Sequence, residues 1–119
     1  MPGNWLRRTA PAPLSVGCAV RALAANEVAP ANARAIEHLH SVLGVTLTGT
    51  TAAGQELVVI RTGEITNSAW SWEPHKPVFL DADGRLTQTF DPTWVFLCVM
   101  GVASSATTVV VGVQTPVVL

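Results

Sequence analysis

Charged side chains are scarce in this chain of 119 residues. Asp, Glu, Lys and Arg together make up 13% of the sequence and apolar residues 49%, whereas an average soluble domain is about 25% charged. So few charges cannot cover the surface of an isolated globule in the usual way, and large exposed apolar patches usually mark contact sites. We therefore expect part of the apolar surface to face other chains.

Clustered positive charge is also lacking. The formal net charge is -1, and the adjacent pair Arg7 and Arg8 is the nearest thing to a basic cluster. Proteins that bind nucleic acids need several Lys and Arg side chains to displace counterions from phosphates. We therefore expect no nucleic-acid partner.

Long hydrophobic runs are absent as well. No apolar run reaches the roughly 18 to 20 residues that a membrane-spanning helix needs, and the most apolar stretch, residues 94–102, has the length of a strand. The N-terminal sequence MPGNWLRR lacks an apolar signal core followed by a small-residue cleavage site. These features predict no membrane partner and synthesis in the cytoplasm.

Cysteine is rare, and its two positions are far apart in the sequence. Cys18 and Cys98 each lie in an apolar, alternating segment, and no Cys-x-x-Cys motif is present. Since cytosolic proteins rarely keep disulfides, we expect both to be free buried thiols and predict no structural zinc site.

Two other segments carry side chains that can ligate metals. His38 and His40 would share a face on a strand but not on a helix, and no third ligand is placed by spacing. Asp81 and Asp83 begin like a calcium loop, but the further oxygen ligands of such a loop do not follow. The Asp-Gly pair at Gly84 is typical of a tight hairpin turn. We therefore predict no metal.

Catalytic motifs are missing too. Ser104 and Ser105 are not in a Gly-x-Ser-x-Gly elbow, no His or Asp is placed beside them by a motif, and no glycine-rich phosphate loop is present. The acidic residues lie mostly at turns, where they are common for conformational reasons. The prediction is a non-enzymatic protein without cofactor or small-molecule substrate; a small hydrolase or peptidase is the weaker alternative.

The remaining pattern is that of an all-β protein, a small β-barrel or sandwich with an extended N-terminal arm and at most one short helix. Pro11 and Pro13 place the arm at residues 1–13, which leaves residues 14–119 as a single β domain. A helix or an extended excursion is predicted for residues 33–43. Strands are predicted at residues 14–23, 42–48, 56–62, 77–80, 85–89, 94–103 and 107–113.

Tryptophan is the prominent aromatic residue, with four copies. Trp70 and Trp72 are spaced so that both can lie on one face of an extended segment. Such pairs bind sugar rings or anchor subunit interfaces, where Trp is enriched. The low charge favours interface or core packing, and Trp94 joins the pair as a candidate sugar platform.

The segment from Trp70 to Thr89, WSWEPHKPVFLDADGRLTQT, and the later MGVASSATTVVV from Met100 to Val111 resemble a domain of tailed-phage and prophage proteins. The resemblance covers about residues 43–119. It implies a small β-rich virion module without catalytic residues, of the kind found in head-decoration-like proteins and in trimeric fibre or tail-associated proteins. The chain has no collagen-like or coiled-coil stalk, which favours a module bound directly to a capsid.

On this basis we predict a homotrimeric decoration or cement protein, made in the host cytoplasm, that binds the major capsid protein on the outside of a phage head. The alternative is a module of a tail fibre, spike or baseplate that binds tail proteins or host surface glycans. The N-terminal arm and the Trp-rich loop are expected to make the contacts. The predicted interface residues are Trp5, Leu6, Arg7, Arg8, Trp70, Trp72, His75 and Trp94.

Overall fold

The computed structural model describes residues 5–119, and these residues form an all-β protein, as predicted. Within this range only two 3-10 turns, Ile36–His38 and Ala82–Gly84, are helical, and no helix is long and apolar enough to cross a membrane. The strands are β1 (Trp5–Thr9), β2 (Ala19–Ala22), β3 (Val28–Pro30), β4 (Val42–Thr46), β5 (Glu56–Ile60), β6 (Thr62–Thr66), β7 (Pro77–Leu80), β8 (Leu86–Thr87), β9 (Phe96–Leu97), β10 (Val99–Ala103), β11 (Thr108–Gly112) and β12 (Val117–Val118).

These strands form three antiparallel sheets. The first sheet has the order β1-β5-β4-β2-β3, the second has the order β6-β11-β10-β7-β8, and β12 pairs with β9 in a small third sheet. Over the described residues neither large sheet closes into a continuous barrel. The two pack against each other as a sandwich, which is one of the two predicted architectures. An isolated bridge between Thr9 and Glu27 joins the two edges of the first sheet at one point.

The main core lies between the two large sheets. The first sheet contributes side chains such as Val45 and Ile60, and the second contributes Ile65, Leu80 and Met100, each almost fully buried. Burial of this kind contributes about 25 cal/mol for each Å² of apolar surface removed from water. The radius of gyration is 13.2 Å, which matches the ~13 to 14 Å expected of one domain of this length.

A second, smaller core covers the other face of the first sheet. β5 supplies Leu57 and Val59 to this second core, while its alternate residues Val58 and Ile60 pack against the main core. The continuous apolar run of β5 is therefore explained, since successive side chains of a strand point to opposite faces. The rest of the second core is made of Ala10, Leu14, Val20 and Val28, with Leu6, Cys18 and Leu43 packed against it.

The chain passes from the first sheet to the second at Arg61. β5 ends at Ile60 and β6 begins at Thr62, in the other sheet. The prediction of one strand over residues 56–62 is therefore wrong. The break lies at Arg61, whose guanidinium donates to the Leu43 carbonyl at 2.9 Å and whose carbonyl accepts from the Val113 amide at 3.2 Å.

The predicted separate arm also needs correction. Residues 1–4 lie outside the described residues, but Trp5–Thr9 is β1 and pairs antiparallel with β5 along its whole length. Pro11 and Pro13 follow this strand, so they do not interrupt its ladder of hydrogen bonds. Ala10 and Leu14 are then buried in the second core. Over the described residues this segment is an edge of the first sheet.

Other predicted elements are present but shorter. The strand predicted over residues 14–23 begins only at Ala19, because Gly17 adopts a positive φ of 81°. Residues 33–43 contain one short 3-10 turn. The strand predicted over residues 94–103 is divided into β9 and β10, and its first residue, Trp94, lies in the preceding turn.

Candidate functional site

The loop that carries Trp70 and Trp72 is fixed at several points. The Trp70 amide donates to the Asn67 carbonyl at 3.0 Å, and the Trp72 amide donates to the Ala106 carbonyl at 2.8 Å. The Gln88 side chain accepts from the Glu73 amide and donates to the Glu73 carbonyl, both at 2.8 Å. These bonds hold the loop against the second sheet.

Two glycines allow two other segments of the chain to meet beside this loop. A Cβ at Gly17 would lie 2.5 Å from Trp70 Cζ2, so only a glycine lets the indole rest on the backbone there. A Cβ at Gly84 would collide with the Cys18 sulfur and would lie 2.8 Å from the Ala19 carbonyl oxygen. The hairpin turn after β7 can therefore pack closely against the segment that leads into β2.

The result is a cleft of about 270 Å³, which we call the Trp cleft. The Trp70 and Trp72 rings form one side, with centroids 5.5 Å apart and planes tilted by 58°. Asp83 and Arg85 flank Gly84 on the hairpin turn, and both side chains are exposed. The complete lining is Ser15, Gly17, Cys18, Trp70, Trp72, Asp83, Gly84, Arg85 and Leu86.

Three polar groups of the Trp cleft have no partner among the described residues. No hydrogen bond or ion pair joins the Asp83 carboxylate or the Arg85 guanidinium to another described side chain. The indole N–H of Trp72 is buried and unpaired within the same range. A buried donor without a partner costs about 1 to 3 kcal/mol, and this N–H has almost no surface exposed to the Trp cleft.

Trp94 does not belong to this cleft. It is 3% exposed in the main core, where its indole N–H donates to the Asp81 carboxylate at 3.0 Å. Phe79 and Phe90 pack edge-on against its ring. The prediction that Trp94 is an interface residue or sugar platform is therefore wrong. Its indole N–H and its ring already contact other residues of the same chain.

The N-terminal interface candidates lie on an edge strand. Trp5 is 37% exposed, and Leu6 packs against the second core. Arg7 pairs with Glu56 across the strands at 3.3 Å, with both side chains mostly exposed. Such a pair contributes little to stability. The Arg8 guanidinium donates to the Arg7 carbonyl at 2.8 Å.

The three histidines lie in different surroundings. His75 is exposed at a positive φ of 69° and its amide donates to the Ala103 carbonyl at 2.7 Å. His38 Nδ1 accepts from the Asn32 amide at 3.1 Å. His40 lines a second open cleft of about 250 Å³ with Arg61 and Gln114. Among residues 5–119 no group of three or more His, Cys, Asp or Glu side chains could hold a metal ion.

The two thiols are both free. Cys98 is buried, as predicted, whereas Cys18 is only partly buried because it lines the Trp cleft. Burial raises the pKa of the Cys18 thiol and of the Cys98 thiol to about 11. Both are therefore protonated and weakly nucleophilic at neutral pH.

The outward face of the second sheet is a separate feature, which the sequence did not assign to any role. A row of side chains crosses four strands in register: Glu64 on β6, Val110 on β11, Val102 on β10 and Pro77 on β7. We call it the outer row. Val102 and Val110 are each 42% exposed, and Glu64 is the only charged member. Neighbouring outward positions include the hydrogen-bonded pair Thr66 and Thr108.

Sequence reasoning therefore found part of the site and missed part. Trp70 and Trp72 lie together, as their spacing predicts. Gly17, Asp83 and Arg85 were not expected beside them, since only the folded chain brings these segments together. The unbroken Val109–Val110–Val111 run in β11 was a signal for the outer row, because it places Val on both faces of one strand.

No model of a known protein family matches this chain, and no curated protein matches it significantly. The resemblance to phage proteins therefore stays a prediction.

Proposed function

We propose that this protein is a structural module of a tailed-phage virion, a homotrimeric capsid decoration protein that binds the outside of the head. The observation that carries the proposal is the outer row. Its two valines pair directly across β10 and β11, and each keeps 42% of its surface exposed among the described residues. An exposed apolar pair in a chain with 13% charged residues supports the interpretation that another chain covers this surface.

The shape of this face favours a second copy of the same chain as its partner. Four outward residues, Val102, Val110, Thr66 and Thr108, are short and β-branched, and Glu64 is the one charge among the four side chains of the outer row. Flat sheet faces of this sort pack against other sheet faces at about 10 Å. Closed cyclic symmetry is the commonest way for identical chains to bury such a surface. Three copies that turn their second sheets toward one axis would cover all three outer rows.

Contacts with the head would then come from other surfaces. Trp5 lies on the opposite large sheet and keeps 37% of its surface exposed. Trp is enriched among the residues that carry binding energy at interfaces. In this proposal Trp5 contacts the major capsid protein, and the decoration protein stabilises neighbouring capsid subunits by burying apolar surface on both.

Binding to heads tests the proposal. Heads that lack this protein, prepared from the phage or prophage that encodes it, are mixed with the purified chain and sedimented. We expect the wild-type chain to co-sediment, Trp5→Ser to co-sediment more weakly, and the matched control Ile36→Ser, at another exposed apolar residue, to behave as wild type. Absence of wild-type binding, or equal binding by all three proteins, would contradict the proposal.

The alternative is a module of a tail fibre, spike or baseplate that binds tail proteins or host surface glycans. The Trp cleft is the observation that favours it, since paired indoles beside polar side chains suit a sugar ring. Co-sedimentation with heads, together with no binding on a glycan array, would exclude this alternative. Binding to isolated tails and not to heads would establish it instead.

A further inference from the structure

We infer that the Trp cleft is a binding site for a single neutral sugar ring. This inference does not rest on the proposed function, because the cleft is formed within one chain and does not involve the outer row. A failure of one would leave the other standing. Three properties of the Trp cleft carry the inference: its size, its balance of polar and apolar groups, and the way its walls are held.

The volume of the Trp cleft limits the size of a ligand. At about 270 Å³ it falls just below the ~300 to 1,000 Å³ of sites that take drug-sized molecules. One ring with its substituents fits this space, whereas an extended peptide or a nucleotide does not. A longer glycan would place one residue in the cleft and leave the rest outside.

The lining combines an aromatic wall with a pair of opposite charges. A pyranose ring offers an apolar C–H face, which packs on an indole, and a rim of hydroxyl groups, which both donate and accept hydrogen bonds. Asp83 accepts and Arg85 donates, and neither side chain is occupied by another described residue. Their charges cancel, so the Trp cleft favours a neutral ligand over an anion or a cation.

The walls of the Trp cleft are already in place before any ligand binds. Gly17 supports the Trp70 ring, and Gln88 fixes the following residues of the loop. Asp83 is held at a positive φ of 54° within the hairpin turn. The loop and the aromatic wall therefore need little ordering when a ligand binds, whereas the exposed Asp83 and Arg85 side chains still have to be ordered.

The indole N–H signals in a proton–nitrogen correlation spectrum provide the test. The chain has four tryptophans, and Trp→Phe variants assign their signals one by one. The probes are the methyl glycosides of galactose, glucose and mannose, with methyl glucuronide and choline as an anionic and a cationic comparison. We expect at least one neutral glycoside to shift the Trp70 and Trp72 signals saturably, while the Trp5 signal stays unchanged.

Variants then separate binding from folding. Asp83→Asn keeps a side chain that tolerates positive φ and should weaken binding about fivefold by removing a charged acceptor. Trp72→Ala should weaken it about tenfold or more, and Trp5→Ala serves as the matched control with no effect. The inference is overturned if no neutral glycoside shifts these signals, if choline or glucuronide binds more tightly, or if Asp83→Asn binds as well as wild type.

Discussion

The two large sheets differ in how their apolar side chains are covered. In the first sheet, β5 places Leu57 and Val59 on one face and Ile60 on the other, and the chain buries both faces in two cores. In the second sheet, β11 has a similar valine run, but Val110 remains 42% exposed opposite Val102. Both faces of β5 are thus buried by other parts of the chain, whereas one face of β11 stays partly exposed.

This difference identifies one of the places where large apolar side chains stay exposed. An antiparallel sheet with one wet face normally alternates apolar and polar residues, whereas a strand that is apolar on both sides is usually covered on both. The first sheet follows this rule by folding residues 10–14 over its outer face. The second follows it only if another chain supplies the cover.

The largest expected effect concerns the covered face of the first sheet. Leu57→Ala removes a side chain that is 1% exposed in the second core, and should lower the free energy of unfolding by about 2 to 5 kcal/mol. Val110→Ala, measured by urea unfolding at the same low protein concentration, should cost less than about 0.5 kcal/mol. Equal losses for the two variants would mean that the faces are covered alike.

A smaller effect on stability is expected for two glycines of the second sheet, Gly101 on β10 and Gly112 on β11. A Cβ at Gly101 would meet the Val110 carbonyl oxygen and would lie 3.0 Å from Val111 Cα, whereas nothing lies within 4 Å of a Cβ at Gly112. Gly101→Ala should therefore cost about 1 to 3 kcal/mol by overpacking. Gly112→Ala should be neutral or stabilise by about 0.5 to 1 kcal/mol. The Tm values of both variants, measured by thermal unfolding, test this prediction. A Gly101→Ala variant as stable as wild type would contradict the close packing of β10 on β11.

Association should also appear in the thermal stability. If copies cover the outer row of one another, the wild-type Tm should rise with protein concentration, because association stabilises only the folded state. The double variant Val102→Thr/Val110→Thr keeps β-branched side chains but weakens the apolar contact. Its Tm should be nearly independent of concentration. A wild-type Tm that does not change with concentration would speak against self-association.

The smallest effect is a dependence of stability on pH. Desolvation, followed by the charge of Arg21, lowers the pKa of His38 in the folded chain, where its Nδ1 accepts the Asn32 amide. The unfolded chain therefore binds this proton more readily, and the contribution of His38 is complete above its ordinary pKa and is lost as the pH falls below that value. His38→Gln should flatten this part of a stability profile measured between pH 7 and pH 5. An unchanged profile would exclude His38 as its source.

The sequence allowed the all-β class and several strands to be predicted, because Val-rich runs and an Asp-Gly turn determine them locally. β4, β7 and the hairpin at Gly84 fall where alternation and turn chemistry place them. The division between two sheets at Arg61 and the pairing of β1 with β5 were not predictable, since they depend on contacts between residues far apart in the chain.

The candidate site shows the same limit. The spacing of Trp70 and Trp72 was sufficient to place their rings together. The same kind of reasoning misplaced Trp94, because nothing near it in the sequence shows that Asp81 accepts its indole N–H. From the sequence alone, Asp83 and Arg85 are ordinary residues of a turn. Only the close packing of Gly84 against Cys18 brings them to the Trp cleft.

The central claim, that copies of the chain cover the outer row of the second sheet, is tested most directly by light scattering coupled to size exclusion. Wild type, Val102→Thr/Val110→Thr and the exposed control Ile36→Thr are compared at equal concentrations. We predict the mass of a trimer for wild type and for the control, and the mass of a monomer for the double variant. A monomeric wild type, or a double variant that associates as well as wild type, would contradict the account.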